Sequence, residues 1–166
     1  IRKSLVGSEM CIRDRPYIAD VPTSGDLDVT TLGPLIADIM PEESIVSDES
    51  ATSSLIVTPH ALQAKPHDWL ALTGGSIGQG LPLAIGASIA KPDRPVITLH
   101  GDGGAMYTVQ ALWTQARENL NITNIIFSNR SYEILKIELD RVQAVETGER
   151  AASMFSMDNP PIDWVN

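Results

Sequence analysis

Asp102 and Asn129 are the residues whose types and spacing can do chemistry. Both offer hard oxygen donors, and each follows an apolar run: Val96-Ile97-Thr98-Leu99 leads to Gly101-Asp102-Gly103-Gly104, and Ile122, Ile125, Ile126 and Phe127 lead to Ser128-Asn129. A few oxygen donors suit Mg²⁺, which fills its remaining positions with water and phosphate oxygens. Glycines at 103 and 104 let backbone approach a ligand closely, and free N–H groups at the start of a following helix favour an anion. A carboxylate repels a bare phosphate, so Asp102 and a phosphate ligand are compatible when a divalent cation lies between them. Taken alone, however, Gly-Asp-Gly reads first as a turn and Asn129 as a strand end.

The surrounding pattern shows which elements must position the pair. Val96 to Leu99, after Pro95, reads as a buried parallel strand. Met106, Val109, Leu112, Trp113, Ala116 and Leu120 recur at three- and four-residue steps. That spacing predicts one buried helix face, with Gln110, Gln115, Arg117 and Glu118 in solvent. The apolar run 122–127 is the next strand. A strand-helix-strand unit of this length closes as a right-handed parallel crossover, which puts Asp102 and Asn129 on one carboxyl edge, where open α/β sheets bind ligands.

Upstream, Thr30 or Thr31 is expected to cap a helix carrying Leu32, Leu35, Ile36, Ile39 and Met40, which Pro41 ends. Ile45-Val46-Ser47 is a strand closing on Asp48-Glu49-Ser50. The hydroxyls of Ser50, Thr52, Ser53 and Ser54 can reach phosphate oxygens or simply cap the next helix. A loop is expected from Pro59 to Trp69. Its His60 and His67, seven apart, make a poor metal site and read as packed or solvent-facing. Thr73 to Pro82 is dense in glycine, and a small-residue helix follows over 83–90. Such a stretch lets a flat group lie against bare backbone, or lets the helix approach its neighbour closely. Beyond Tyr132, the residues Ile134, Leu135, Ile137, Glu138 and Leu139 suggest a helix over the same edge, followed by a polar stretch from Gln143 to Arg150.

Composition narrows the classes of function. Residues 1–15, IRKSLVGSEMCIRDR, fit nothing that follows and resemble translated sequencing-adapter sequence of the kind found at the ends of environmental gene fragments, so they are set apart from fold reasoning. Without them the chain carries 8 basic against 19 acidic side chains, a net charge near −11. This argues against nucleic acid and anionic membrane surfaces as partners. Cys11, the only cysteine, lies in the set-apart segment, which removes disulfides, thiol catalysis and cysteine zinc sites. No stretch has the length and apolarity of a membrane span, so a soluble protein compatible with a reducing cytoplasm is expected. Residues 16–28 read as a linker. Residues 29–166 read as one domain, and Trp164, expected to lie exposed near the last residue, suggests truncation at the C-terminus.

The 27 positions from Asp102 to Asn129 resemble the motif of thiamine diphosphate enzymes, in which Gly-Asp-Gly is followed at a similar distance by Asn-Asn. The run from Thr73 through Gly74-Gly75-Ser76-Ile77-Gly78-Gln79-Gly80 to Leu81-Pro82, with the helix after it, is similar to the aminopyrimidine-binding segment of the acetolactate synthase and benzoylformate decarboxylase branch. With Ala105-Met106-Tyr107 and the run 111–117, the likeness extends from about Pro41 to the end. Ser128 stands where the family has the first Asn, and Gly104 where it often has Ser; neither change removes a metal ligand.

The resemblance implies an α/β fold, a parallel sheet with helices on both faces in a Rossmann-like arrangement. It implies thiamine diphosphate and Mg²⁺ as cofactors, with Asp102, the Asn129 side chain and the Ser131 carbonyl as metal ligands. Ser50, Thr52, Gly103, Gly104 and Tyr132 would then face the cofactor. The Gly75 carbonyl would accept from the pyrimidine amino group, Ser76 would lie beside it, and Ile77 would prop the cofactor in a bent conformation. The implied activity is decarboxylation of a 2-oxo acid such as pyruvate, with carboligation to acetolactate or release of an aldehyde. No catalytic side chain falls in this segment. The family's glutamate comes from a pyrimidine-binding domain, usually of another subunit in a homodimer or homotetramer, so the 166 residues alone are expected to be inactive. A non-catalytic phosphate- or nucleotide-binding α/β module is the alternative.

Overall fold

Three of the four short parallel strands follow from apolar runs, and the order of all four sets the site. In the computed structural model, which describes residues 24, 27–142 and 148–165, these are β1 (Ile45–Glu49), β2 (Asp68–Ala71), β3 (Val96–Gly101) and β4 (Ile122–Phe127), in the order β2-β1-β3-β4. The segment 1–15, nearly all of the linker 16–28 and residues 143–147 of the polar stretch lie outside the described residues. Register levels the carboxyl ends: Glu49 pairs with His100, and Gly101 with Phe127. The turns after β1, β3 and β4 therefore open on one edge.

Alternation along the strands feeds two cores. Val46, Ile97 and Leu99 point to one face, against Ile36 and Met40 of the first helical segment and Val57 and Ala61 of the second. Those helices are α1 (Val29–Ile39) and α2 (Ser54–Ala61). Ile45 and Val96 point the other way, onto Ala84 of α3 (Gly80–Ala90). There Leu81 meets Ala105 of α4 (Asp102–Ala105) and Ala111 of α5 (Gln110–Arg117). Full burial of one such Leu is worth about 1.5–3 kcal/mol, so these two layers hold the sheet. Helices on both faces of a parallel sheet match the expected fold class. The helix expected after Tyr132 is α6 (Glu133–Arg141), and a short α7 spans Glu149–Ser153.

Several local expectations are corrected. The cap of α1 is Asp28, whose Oδ1 accepts the Thr30 and Thr31 N–H at 2.8 and 2.9 Å, while the Thr31 hydroxyl accepts the Asp28 N–H at 3.0 Å. A carboxylate can take both donors at once, where a hydroxyl takes one. The Thr30 hydroxyl first, then the N–H groups of Thr31 and Thr30, hold the Asp28 carboxyl below its ordinary range.

The stretch Pro59–Trp69 is not one loop: α2 continues to Ala61, and β2 begins at Asp68. Four residues without alternation give no sequence signal for a strand, and pairing with β1 makes this one. The two histidines are packed. His60 Nδ1 lies 2.9 Å from the Ile56 carbonyl, and His67 meets Trp69 edge-on.

The helix after Gly-Asp-Gly is broken, and its predicted face is wrong. α4 is four residues long and α5 starts only at Gln110, because Thr108 leaves the helical path to donate its hydroxyl to the Gly78 carbonyl at 2.7 Å. Periodicity counted across the break therefore does not hold. Trp113 is 63% exposed, with the Arg117 guanidinium over its ring, and Met106, Val109 and Ala116 are exposed as well. Gln115 is buried instead, accepting from Asn124 Nδ2, whose carbonyl accepts the Thr98 hydroxyl. This bond satisfies the Gln115 oxygen, while its Nε2 is buried with no partner among the described residues. Trp164 is half-buried, not exposed, and covers the Leu81, Ala105 and Ala111 cluster.

Candidate functional site

The turns after β1, β3 and β4 and the first turn of α6 line an open cavity of about 100 Å³ at the carboxyl edge.

Asp102 organises the polar half. It is 3% exposed. Its Oδ1 accepts the Gly103 N–H at 2.9 Å, and its Oδ2 accepts the Arg130 N–H at 2.7 Å and the Ser128 hydroxyl at 3.4 Å. The β3 end thus holds the turn after β4. A carboxylate offers about four acceptor positions, so one is left for a further partner. In that turn Asn129 Oδ1 accepts the Ser131 N–H at 3.0 Å, and Arg130 is held at φ 55°, a left-handed conformation that costs energy for a non-glycine residue and clusters at binding sites. Ser131 faces Ser156 in an isolated antiparallel bridge, whose bonds run from the Tyr132 N–H to Phe155 and from the Met157 N–H to Arg130. This pattern leaves the Ser131 carbonyl free: among the described residues no donor reaches it.

Gly103 and Gly104 are glycines because of neighbours, not because of unusual dihedrals. A Cβ at 103 would stand 2.7 Å from the Tyr132 ring, and one at 104 would stand 2.9 Å from Glu49 Oε1. The opposite wall is the turn after β1, where Ser50 donates its hydroxyl to Asp48 Oδ1 at 2.6 Å and Ala51 takes φ 51°. Ser50 makes no helix-cap bond, which removes the capping role.

Of the residues singled out in the sequence, Ser50, Thr52, Ile77, Asp102, Gly103, Gly104, Asn129, Ser131 and Tyr132 all line the cavity. Gly75 and Ser76 do not. They are exposed on the same loop as Ile77, with Gly74, Gly75 and Gly78 at positive φ of 63°, 67° and 88°. The lining also includes Glu49, Leu72, Tyr107 and Glu133. Leu72 carries no motif and only the fold could have assigned it, while Tyr107 belongs to the Ala105-Met106-Tyr107 run noted in the sequence without a site role.

The electrostatics test the metal. The lining holds three carboxylates, Glu49, Asp102 and Glu133, and no Lys, Arg or His. Glu49 lies 3.0 Å from His100 and Glu133 3.4 Å from Lys136, so Asp102 is the lining acid with no basic partner among the described residues, and it fits a phosphate only together with a cation. One carboxylate, one amide oxygen and one free carbonyl are the hard oxygens that Mg²⁺ takes while keeping room for water and phosphate.

Glu49 is not part of that set. Burial raises its carboxyl, but His100 together with the N–H groups of Gly78 and Gly80 outweighs burial and leaves it below the ordinary 4.5.

A family model for the thiamine pyrophosphate enzyme C-terminal TPP-binding domain matches residues 51–166. A Mycobacterium tuberculosis protein named as an acetolactate synthase large subunit is 46% identical over 146 residues, 87% of this chain and 28% of that protein. A benzoylformate decarboxylase of Pseudomonas aeruginosa is 32% identical over 112 residues, 68% of this chain and 21% of its own length. Among solved structures, a thiamine diphosphate-dependent 4-hydroxybenzoylformate decarboxylase of Rhodococcus jostii superposes with a TM-score of 0.67 at 28% identity, covering 90% of this chain and 28% of the other. The chain thus spans less than a third of the length of these proteins.

Proposed function

Because the chain belongs to the thiamine pyrophosphate enzymes through their C-terminal TPP-binding domain, we propose that its carboxyl-edge cavity takes thiamine diphosphate with Mg²⁺, as part of an acetolactate synthase- or decarboxylase-like enzyme. One observation carries this reading: a buried carboxylate, Asp102, in a cavity without a basic side chain, beside an amide and a free carbonyl.

Asp102, the Asn129 side chain and the Ser131 carbonyl hold the metal. Gly103 and Gly104 bring backbone close to the diphosphate, Ser50 and Thr52 offer hydroxyls from the facing turn, and Tyr132 closes the side. Ile77 supports the organic part of the cofactor from the glycine loop, with Gly75 and Ser76 beside it at the pyrimidine end. Thiamine diphosphate bound there supplies the electron sink for decarboxylation of a 2-oxo acid. The chain's own residues anchor, orient and exclude water.

The substrate is a 2-oxo acid such as pyruvate, and the product is acetolactate or an aldehyde. The glutamate that acts on the pyrimidine belongs to a pyrimidine-binding domain of another subunit in a homodimer or homotetramer. Exposed Ile77, Met106, Tyr107, Val109 and Trp113 are compatible with such a contact. No helix among the described residues is long and apolar enough to cross a membrane, in keeping with a cytoplasmic enzyme.

Calorimetric titration of the chain tests this. Thiamine diphosphate is expected to bind with Mg²⁺ and to fail without it, whereas metal-dependent preference for ATP favours a nucleotide-binding module. Pyruvate turnover by the 166 residues alone overturns the assignment of the glutamate to another domain.

A further inference from the structure

Glu49 sits at the end of β1 with 4% of its surface exposed. Its Oε1 accepts the Gly78 N–H, its Oε2 accepts the Gly80 N–H at 2.6 Å, and the fully buried His100 brings Nε2 to 3.0 Å from the same Oε2, close enough for charge contact though not aligned as a linear hydrogen bond. Gly80 and Gly104 are shaped around this pair: a Cβ on Gly80 would stand 2.9 Å from the His100 ring, and one on Gly104 3.0 Å from it.

The Gly78 peptide is therefore held from both sides, its N–H by Glu49 and its carbonyl by the Thr108 hydroxyl. Gly74 and Gly75, by contrast, have no atom within 4 Å of where a Cβ would be. These bonds anchor the carboxyl end of the loop, and Ile77, the residue that enters the cavity, is next to the anchor.

Two consequences follow. The N–H groups of Gly78 and Gly80 belong to a carboxylate, so this glycine loop is not a phosphate cradle. And a buried carboxylate accepting two N–H bonds is strong and directional, which fixes the backbone it grips. Resting on the proposed cofactor site, we infer that Glu49 is a positioning residue: through Gly78 and Gly80 it sets how far Ile77 projects, and so governs the organic part of the cofactor without serving the metal–diphosphate end.

Two probes, Mg–thiamine diphosphate and Mg–pyrophosphate, separate the two ends in calorimetric titrations of the 166-residue chain. Glu49→Gln keeps the shape and removes the carboxylate. It is expected to weaken thiamine diphosphate binding about tenfold and pyrophosphate by less than about twofold, the scale of a lost charge-assisted bond. Thr108→Val releases the other side of the Gly78 peptide and should reproduce the selectivity at about threefold; it decides the matter if Glu49→Gln does not fold. In the wild-type chain without ligand, the Gly78 and Gly80 amides should exchange with solvent at least about 100-fold more slowly than that of Gly75. Equal losses on both probes, no loss on either, or equal exchange at 75, 78 and 80 overturns the inference. A wild-type chain that binds neither probe removes the proposed function instead, and amide exchange then still decides whether Glu49 grips the loop.

Discussion

The two edges of the sheet both carry a hollow, and they differ in chemistry as well as in size. At the amino edge the space is larger, about 400 Å³ against 100 Å³, and its lining includes Glu43, Lys65, His67, Asp68, Trp69 and Arg94. There Arg94 ties the strand starts together: its Nη1 meets Asp68 at 2.6 Å, its Nε donates to the Glu43 carbonyl and its Nη2 to the Ser44 carbonyl at 3.2 Å. At the carboxyl edge Asp102 is buried with only N–H and hydroxyl donors, and no basic side chain faces it in the cavity. An edge where acid and base stand side by side ties strands together. One whose buried acid meets no base among the described residues is prepared for a cation from outside.

The sharpest way to break this contrast is Asp102→Asn, which keeps one acceptor but removes the carboxylate. Loss of even a supporting group around a metal ligand costs roughly 10–100-fold, so Mg²⁺-dependent thiamine diphosphate binding should fall at least about 100-fold. Retention of metal-dependent affinity would show that the two edges do not differ as described.

A matched pair of stability measurements sharpens it further. Gly103→Ala drives a Cβ to 2.7 Å from the Tyr132 ring and should destabilise by about 1–3 kcal/mol in urea unfolding while also weakening cofactor binding. Arg94→Ala leaves two carbonyls and a half-solvated Asp68 without their donor and should cost about 1 kcal/mol, with cofactor affinity unchanged.

The smallest effect is on pH. The folded-state carboxyl of Glu49 lies below its ordinary 4.5, so its contribution to stability is complete above that value and is lost as pH falls through the lowered one. In wild type, urea midpoints should therefore drop below about pH 4.5 more steeply than in Glu49→Gln. Parallel acid profiles would mean that the buried carboxylate is not held by His100 and the glycine loop.

The sequence by itself determined the layout of the carboxyl edge. Apolar runs ending in Gly-Asp-Gly and Ser-Asn, joined by one crossover, can only bring Asp102 and Asn129 to neighbouring strand ends, because parallel strands point their carboxyl ends the same way. It also pointed to a helix after Tyr132 over the cavity, although Ile134, Leu135 and Ile137 stay exposed in it. What only the tertiary structure decided are contacts made across the sheet. β2 exists through pairing with β1. Gln115 is buried because Asn124 meets it. The helix after Asp102 breaks because Thr108 reaches Gly78. Glu49 grips Gly78 and Gly80 from 29 and 31 positions away, and meets His100 because the strand register levels the two. Local periodicity reports which face a residue prefers. It does not report which distant polar group will be there to satisfy it, and that pairing is what turns a strand end into a site.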